Sequence, residues 1–135
     1  SLEKYKKEII NREDTKYTLE DHSEYLHGEI SDLFNLIRRR ILNLDPGVKE
    51  VILKKYIAYK TSTNFVDIKF QKERLLLIIN LEFAEINDPR GFARDVTGVG
   101  HRGNGDIEVG FSNVSDLDYV MSLVQQSYAK FRDEV

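Results

Sequence analysis

The apolar residues between positions 26 and 41 recur with the period of an α-helix. They stand at Leu26, Ile30, Leu33, Phe34, Ile37 and Ile41. Their offsets place all six on one stripe of a helix with 3.6 residues per turn. Residues 45–47 read Asp-Pro-Gly, which a helix cannot continue. The pattern therefore predicts an amphipathic helix over about 23–43.

The middle of the chain carries the patterns that are typical of β-strands. We predict four strands, over 54–60, 65–70, 75–83 and 106–111. The short polar stretch 71–74 joins the second and third of these as an antiparallel hairpin. Strict alternation in the second strand predicts one face with Val66, Ile68 and Phe70 in the core. It places Asp67 and Lys69 on the opposite, solvated face.

A second amphipathic helix is predicted near the end of the chain. Ser115 and Asp118 stand close to the spacing of a capping box, and a helical stripe follows at Leu117, Val120, Met121, Val124, Tyr128 and Phe131. Helices that are apolar on one side only must bury that side against the sheet. The predicted fold class is therefore α+β, a two-layer sandwich with the N-terminal and C-terminal helices packed on one face of an antiparallel sheet.

The chain divides into a lead-in and one domain. Residues 1–16 alternate Lys and Glu around Leu2, Tyr5, Ile9 and Ile10, which predicts a short charged helix. Residues 17–135 hold a complete core pattern and are expected to form a single α+β domain. A charged lead-in that starts with Ser1 rather than Met is typical of a domain excised from a larger protein.

Composition and charge exclude several classes of protein. Of the 135 residues, 41% are hydrophobic and 32% are charged. None is cysteine, and this excludes disulfides, thiolate metal sites and a cysteine nucleophile. Residues 1–60 carry 12 basic and 11 acidic side chains, and residues 61–135 carry 8 and 12. Neither half has the basic excess of a dedicated nucleic-acid binder. The longest apolar run is far shorter than the ~20 residues of a membrane helix, so we expect a soluble cytoplasmic protein with no membrane contact.

One long loop concentrates the polar groups that could meet a ligand. Six of the eight glycines lie between 91 and 110, and the connection 87–105 is unusually long for a compact domain. We predict that this loop binds an anion in a nest of backbone N–H groups. The candidate ligand-binding residues are Arg90, Arg94, His101, Arg102 and Asn104. The alternative is a structural connection with a short helical turn at 92–96, in which glycine only permits positive φ.

Residues 98–103 also match the letters of the dinucleotide fingerprint GxGxxG. That fingerprint needs a strand directly before it and a helix opening at its last glycine. Here a predicted strand follows instead, so a nucleotide cofactor is not expected.

The sequence gives less support to a catalytic or metal site elsewhere in the chain. Asp67-x-Lys69 on a strand, with Asp45 or Glu50 upstream, leaves a Mg²⁺-dependent nuclease open. The histidines at positions 22 and 27 lack the spacing of a metal site. The basic run 38–40 is interpreted as a helix face paired with Glu29 and Asp32. We therefore predict no catalytic residues, no metal and no cofactor.

Several stretches together resemble a known bacterial domain. They are YTLEDH at 17–22, ILNLD at 41–45, KYIAYK at 55–60, NFVD at 64–67, EINDPRG at 85–91, DVTGVG at 95–100, GNGD at 103–106 and DLDYV at 116–120. The resemblance is to an uncharacterised domain, sometimes labelled predicted transport protein, found at the C-terminus of GmrSD-type and other restriction-endonuclease-like proteins. A more distant similarity is to the YjbR family, which has a CyaY-like sandwich of helices on an antiparallel sheet.

The resemblance implies a role in defence against foreign DNA, with the nuclease in other domains of the parent chain. We expect a non-catalytic accessory domain that binds DNA or a partner domain. The surfaces expected to do so are the loop 87–105 and a sheet face presenting Tyr56, Tyr59, Phe65 and Lys69. The alternatives are a protein–protein or oligomerisation module with no ligand and, third, the Mg²⁺-dependent nuclease.

Overall fold

The computed structural model describes residues 16–99 and 105–132. Within them lie helix α1 (Gly28–Leu42) and helix α2 (Leu117–Arg132). The strands are β1 (Lys49–Ile52), β2 (Ile57–Lys60), β3 (Asn64–Phe70), β4 (Leu75–Ile79), β5 (Ala93–Asp95) and β6 (Ile107–Phe111). Short 3-10 turns cover Leu19–His22, Phe83–Glu85 and Val114–Asp116.

The strands in the described part of the chain form one sheet in the order β1-β2-β3-β4-β6-β5, and every neighbouring pair is antiparallel. Both helices pack on the same face of this sheet. The ring of Phe34 on α1 meets Phe70, and the ring of Tyr128 on α2 meets Phe65. The fold is α+β, as the periodicity predicts.

Most residues of the predicted helical stripes are buried in the structure, whereas Leu26, Leu117 and Phe131 are only partly buried. Ile30, Leu33, Phe34, Ile37 and Ile41 of α1 all lie in the core. The hairpin of β3 and β4 is confirmed, and all five residues of β4 are buried. In β6 the alternation is also confirmed, because Ile107, Val109 and Phe111 are buried while the residues between them are half-exposed.

The helix boundaries differ from the predicted ones. α1 begins at Gly28 rather than near 23, because the chain before it turns through Leu19–His22 and Gly28 takes a φ of +57°. At the other end of the chain the cap is Asn113, whose Oδ1 accepts the backbone N–H of Ser115 at 3.0 Å. α2 therefore follows a 3-10 turn and begins at Leu117.

Two short strands were not predicted from the sequence pattern. β1 has four residues, and only its pairing with β2 defines it. β5 lies where a helical turn was predicted over 92–96, so that prediction is wrong. It has three residues, and its alignment with β6 fixes it as a strand.

The predicted aromatic sheet face is also wrong. Tyr59 and Phe65 are completely buried on the helix side. The pairing of β2 with β3 jumps from Tyr59–Val66 to Lys60–Asn64, which leaves Phe65 as the extra residue of a bulge. A bulge turns its residue out of the strict alternation, and this allows Phe65 to reach Tyr128 on α2.

Candidate functional site: the anchored loop

The first half of the long loop is bonded directly to α2. The backbone N–H of Asn87 donates to Gln126 Oε1 at 2.8 Å, and Gln126 Nε2 donates to the Asn87 carbonyl oxygen at 2.8 Å. A side-chain amide thus replaces the pairing that a neighbouring strand would supply. This fixes where the loop leaves the core.

Asp88 organises the next turn. Its Oδ1 accepts the N–H of Phe92 at 3.1 Å, and its Oδ2 accepts the N–H of Ala93 at 2.7 Å. The hydroxyl of Tyr119 on α2 also donates to Oδ1. Partial burial acts to raise the pKa of Asp88, but the hydrogen bonds from Tyr119, Ala93, Phe92 and Gly91 outweigh it and lower the pKa.

Arg90, a predicted ligand residue, is engaged within the fold. Its guanidinium carbon lies 4.6 Å from the ring centre of Phe92 and 4.7 Å from that of Tyr119. Its Nη2 donates to Asp116 Oδ1 at 3.0 Å, and its backbone N–H donates to the Tyr119 hydroxyl at 2.9 Å. Two rings and a carboxylate therefore hold this cation against α2, with half of its side chain still exposed.

Arg94, on β5, is the more accessible of the two described candidates. Its side chain is 70% exposed, and its Nη1 lies 3.5 Å from Glu108 Oε1 on the paired strand. The Glu108 carboxylate is largely buried, with 11% of its side chain exposed, but its distance from Arg94 is long for an ion pair. Most of the Arg94 side chain is therefore open to water and can meet another group.

The structure fixes both ends of the glycine-rich part of the loop. The N–H of Thr97 donates to Asp95 Oδ1 at 3.0 Å, and the N–H of Val96 donates to the Asp106 carbonyl oxygen at 2.9 Å. The remaining predicted ligand residues, His101, Arg102 and Asn104, lie outside the described residues. The structure thus brings Arg90 and Arg94 to one edge of the sheet, and the binding role of all five residues stays a prediction.

Sequence reasoning missed a network on the helix side of β1. Glu50 accepts two hydrogen bonds from Arg38, at 2.7 and 2.6 Å, and one from the Tyr59 hydroxyl at 2.8 Å. Hydrogen bonding to Glu50 raises the pKa of Arg38 against the opposing effect of burial, and burial raises the pKa of Tyr59. The basic run was expected to pair with Glu29 and Asp32, but Arg38 pairs with Glu50 and Arg40 with Asp118. The pairing of β1 with β2 brings Glu50 to Tyr59, and no local spacing reveals it.

The three carboxylates considered for a nuclease lie in separate surroundings. Asp67 is fully buried, which corrects its predicted place on a solvated face, and Asn64 Nδ2 lies 3.4 Å from its Oδ1. Asp45 binds Gly47 and Tyr128, while Glu50 binds Arg38 and Tyr59. Over 16–99 and 105–132 no group of three or more His, Asp or Glu side chains is placed to hold a metal ion.

Two histidines make structural contacts. His22 Nε2 lies 2.7 Å from the Leu53 carbonyl oxygen, and its ring meets Phe70 edge-on at 5.4 Å. His27 Nε2 lies 3.2 Å from the Glu24 carbonyl oxygen. His22 therefore ties the Leu19–His22 turn to one end of the sheet.

Comparison with known proteins places the chain in a family. Residues 20–130 match the family described as "Domain of unknown function (DUF5655)". The chain belongs to this family. It is also 37% identical over 127 residues to an "Uncharacterized protein" of Haemophilus influenzae, a match that covers 94% of this chain and 42% of that protein. The chain thus spans less than half the length of this relative, and no solved structure matches the chain.

The family description names no activity, ligand or restriction system. The link to an uncharacterised bacterial domain is established, and the finer resemblance to restriction proteins is not part of that match. Neither helix in the described ranges has the length and hydropathy that crossing a membrane requires.

Proposed function

We propose that this DUF5655 domain is a non-catalytic accessory domain of a longer restriction- or defence-type protein. Its role is to dock onto another domain of that protein through the edge of the sheet that carries β5. The length of the Haemophilus relative supports a place within a longer chain. The restriction context rests on the sequence resemblance alone.

The single observation that carries the docking role is the anchoring of residues 87–95. Asn87, Asp88 and Arg90 all bond to side chains of α2 or of the turn that precedes it. Ordering a loop costs about 1–2 kcal/mol per residue in backbone entropy, and a connection between two strands does not need so many fixed points. A loop that is held rigid before contact lowers the entropy loss of binding.

The surface beside β5 suits a protein partner. Phe83, in the turn that contacts β5, is 44% exposed, and Val99, four residues after β5, is 48% exposed. Residues 87–99 carry two arginines and two aspartates, so this stretch has no net charge to attract a polyanion. Asp88 already binds the N–H of Ala93, so we expect docking through side chains rather than by addition of a strand.

A titration tests the docking role. The ligand is the part of the Haemophilus relative that lies outside the matched 42%. The chain should bind it, and a Phe83→Ser, Val99→Ser double variant should bind about tenfold or more weakly, as expected when apolar contacts at an interface are lost. Val114→Ser is the matched control, because Val114 is equally apolar and 56% exposed at another site. Equal affinities for the double variant and the wild type would contradict the proposal.

Contact with DNA is a second candidate, and the exposure of Arg94 favours it. If Arg94 meets a phosphate, Arg94→Ala should weaken binding to duplex DNA and flatten its salt dependence by about one unit. Arg39→Ala, which removes an exposed arginine from α1, should leave binding unchanged. Fluorescence anisotropy of labelled DNA at several salt concentrations distinguishes the two variants, and identical curves would remove DNA from consideration.

A further inference from the structure

Two oppositely charged surfaces lie side by side at one end of the sheet. The first is the segment 20–32, which contains five acidic residues and neither Lys nor Arg. The second is the β1–β2 hairpin, residues 49–60, which contains four lysines and one glutamate. That glutamate, Glu50, is bonded to Arg38 and Tyr59, so the lysines dominate the charge of the hairpin. We call these surfaces the acidic segment and the lysine hairpin.

A close contact brings the two surfaces together. His22 Nε2 lies 2.7 Å from the carbonyl oxygen of Leu53, in the turn between β1 and β2. Asp21 directly precedes His22, and Lys54 directly follows Leu53. The acidic segment and the lysine hairpin therefore adjoin each other on either side of this contact.

The charges of both surfaces are open to water. Exposed side chains on the two sides of the contact include Glu20, Asp21, Glu24, Lys54 and Lys55. Within 16–99 and 105–132, no ion pair joins a carboxylate of the acidic segment or a lysine of the hairpin to another residue. The fold thus leaves both sets of charges available to a partner.

The register of the hairpin adds to its positive charge. Lys49 on β1 and Lys60 on β2 are direct cross-strand partners. Like charges that stand opposite each other destabilise a sheet. A carboxylate-bearing surface that lies against the hairpin would reduce this repulsion.

A second copy of the chain supplies the matching charges. In a two-fold dimer both copies use the same surface, so that residue i of one copy meets residue j of the other, and j meets i. A surface that is acidic on one side and basic on the other is complementary to itself under this rotation. A uniformly charged partner such as a nucleic acid would be repelled by one of the two sides, so the arrangement favours a second copy.

We propose that this end of the domain is a two-fold dimer interface, in which the acidic segment of each copy lies against the lysine hairpin of the other. Complementary exposed charges determine orientation and association rate more than affinity, so we expect a weak dimer that salt dissociates. The lysine hairpin and β5 form opposite edges of the sheet. The proposal is therefore independent of docking through the β5 edge.

Sedimentation of the full chain tests the proposal. The average mass should rise above the 15.7 kDa of the monomer as the protein concentration increases. It should return to that value in about 1 M salt, where charges are screened within about 3 Å. A wild type that stays monomeric up to about 1 mM protein at low salt would overturn the proposal.

Charge reversal on either side should weaken the dimer by about tenfold or more, because like charges then face each other. The two variants are Lys54→Glu, Lys55→Glu and Glu20→Lys, Glu24→Lys. Arg39→Glu is the control, because it reverses an exposed charge outside both surfaces and should leave association unchanged.

The four substitutions combined exchange the signs of the two surfaces and keep the net charge of the chain. This combined variant should regain the affinity of the wild type to within about threefold, since each surface again faces its opposite. Circular dichroism checks that every variant is folded. Double variants that associate as the wild type does, or a folded combined variant that stays monomeric, would contradict a two-fold interface at this end of the domain.

Discussion

Tyr119 and Asp88 meet at the point where the long loop touches α2. Tyr119 donates its hydroxyl proton to Asp88 and accepts a hydrogen bond from the backbone N–H of Arg90. Its ring packs against that of Phe92 at an angle of 54°, with the ring centres 4.9 Å apart. Asp88 in turn holds the backbone of Phe92 and Ala93. One tyrosine on a helix and one aspartate in the loop therefore set the direction in which β5 starts.

Replacing Asp88 should loosen this corner. Asp88→Ala leaves the N–H groups of Phe92 and Ala93 and the Tyr119 hydroxyl without their acceptor, which should reduce the free energy of unfolding by about 1–3 kcal/mol near pH 7. Asp118→Ala is the control, because Asp118 is 89% exposed in a surface ion pair, and its loss should be within about 0.5 kcal/mol. Denaturant unfolding measures the free energy of unfolding of both variants. Equal decreases would show that the contact between the loop and α2 does not depend on Asp88.

The same carboxylate predicts a dependence on pH. Because the folded pKa of Asp88 lies below that of the unfolded chain, its stabilisation is present above pH ~3.9 and is lost as the pH falls through the folded pKa. The difference in unfolding free energy between wild type and Asp88→Ala should therefore shrink below about pH 4. A difference that stays constant down to pH ~2 would contradict the lowered pKa.

At the scale of elements, the glycines of the loop have different roles. A Cβ on Gly105 would lie 2.2 Å from the Ile79 carbonyl oxygen, so the chain entering β6 passes directly against the end of β4. Gly98 has a φ of +77° with nothing within 4 Å of its Cβ position. Glycine is required at position 105 because the backbone of β4 lies too close for a side chain, and at position 98 because φ is positive.

The two glycines should respond differently to alanine. Gly98→Ala should destabilise by about 1–2 kcal/mol, the cost of a left-handed conformation for an L-residue. Gly105→Ala should destabilise the fold by more than this amount, because β4 or the start of β6 must shift to make room for the added methyl group. Thermal unfolding of both variants checks the order, and a smaller effect at Gly105 would show that the chain does not pass so close to β4.

The stripe of α1 gives a test of the core. Ile37 is completely buried among the sheet residues, so Ile37→Ala should reduce the free energy of unfolding by about 2–5 kcal/mol. Asn35→Ala, on the exposed side of the same helix, should change it by less than about 0.5 kcal/mol. Similar changes in the free energy of unfolding at the two positions in denaturant titrations would show that Ile37 does not face the core.

Periodicity predicted the long elements and missed the short ones. Helices α1 and α2, the β3–β4 hairpin and β6 each hold enough residues for a period to be visible. β1 and β5 hold four and three residues, and only their hydrogen-bonded neighbours define them as strands. The bulge at Phe65 also broke the alternation that assigned faces, which is why the aromatic surface was wrong.

At the scale of the whole molecule, the proposed non-catalytic role leads to a prediction about nuclease activity. The carboxylates considered for Mg²⁺ lie in separate networks, and Asp67 has no exposed surface. The domain should leave duplex and single-stranded DNA intact with Mg²⁺, and EDTA should not lower its melting temperature. Cleavage that Asp67→Ala abolishes would overturn this and make the nuclease alternative the leading function.

The sequence by itself determined the fold class, the helical stripes, the central hairpin and the loop in which polar groups are concentrated. These depend on local periodicity and on turn residues, which act between near neighbours in the chain. Only the tertiary structure decided that Arg90 is held between two rings, that Glu50 joins Arg38 to Tyr59 and that Asp67 is buried. Each of these contacts depends on strand register or on the packing of residues that are far apart in the chain. Local sequence patterns do not indicate such pairings.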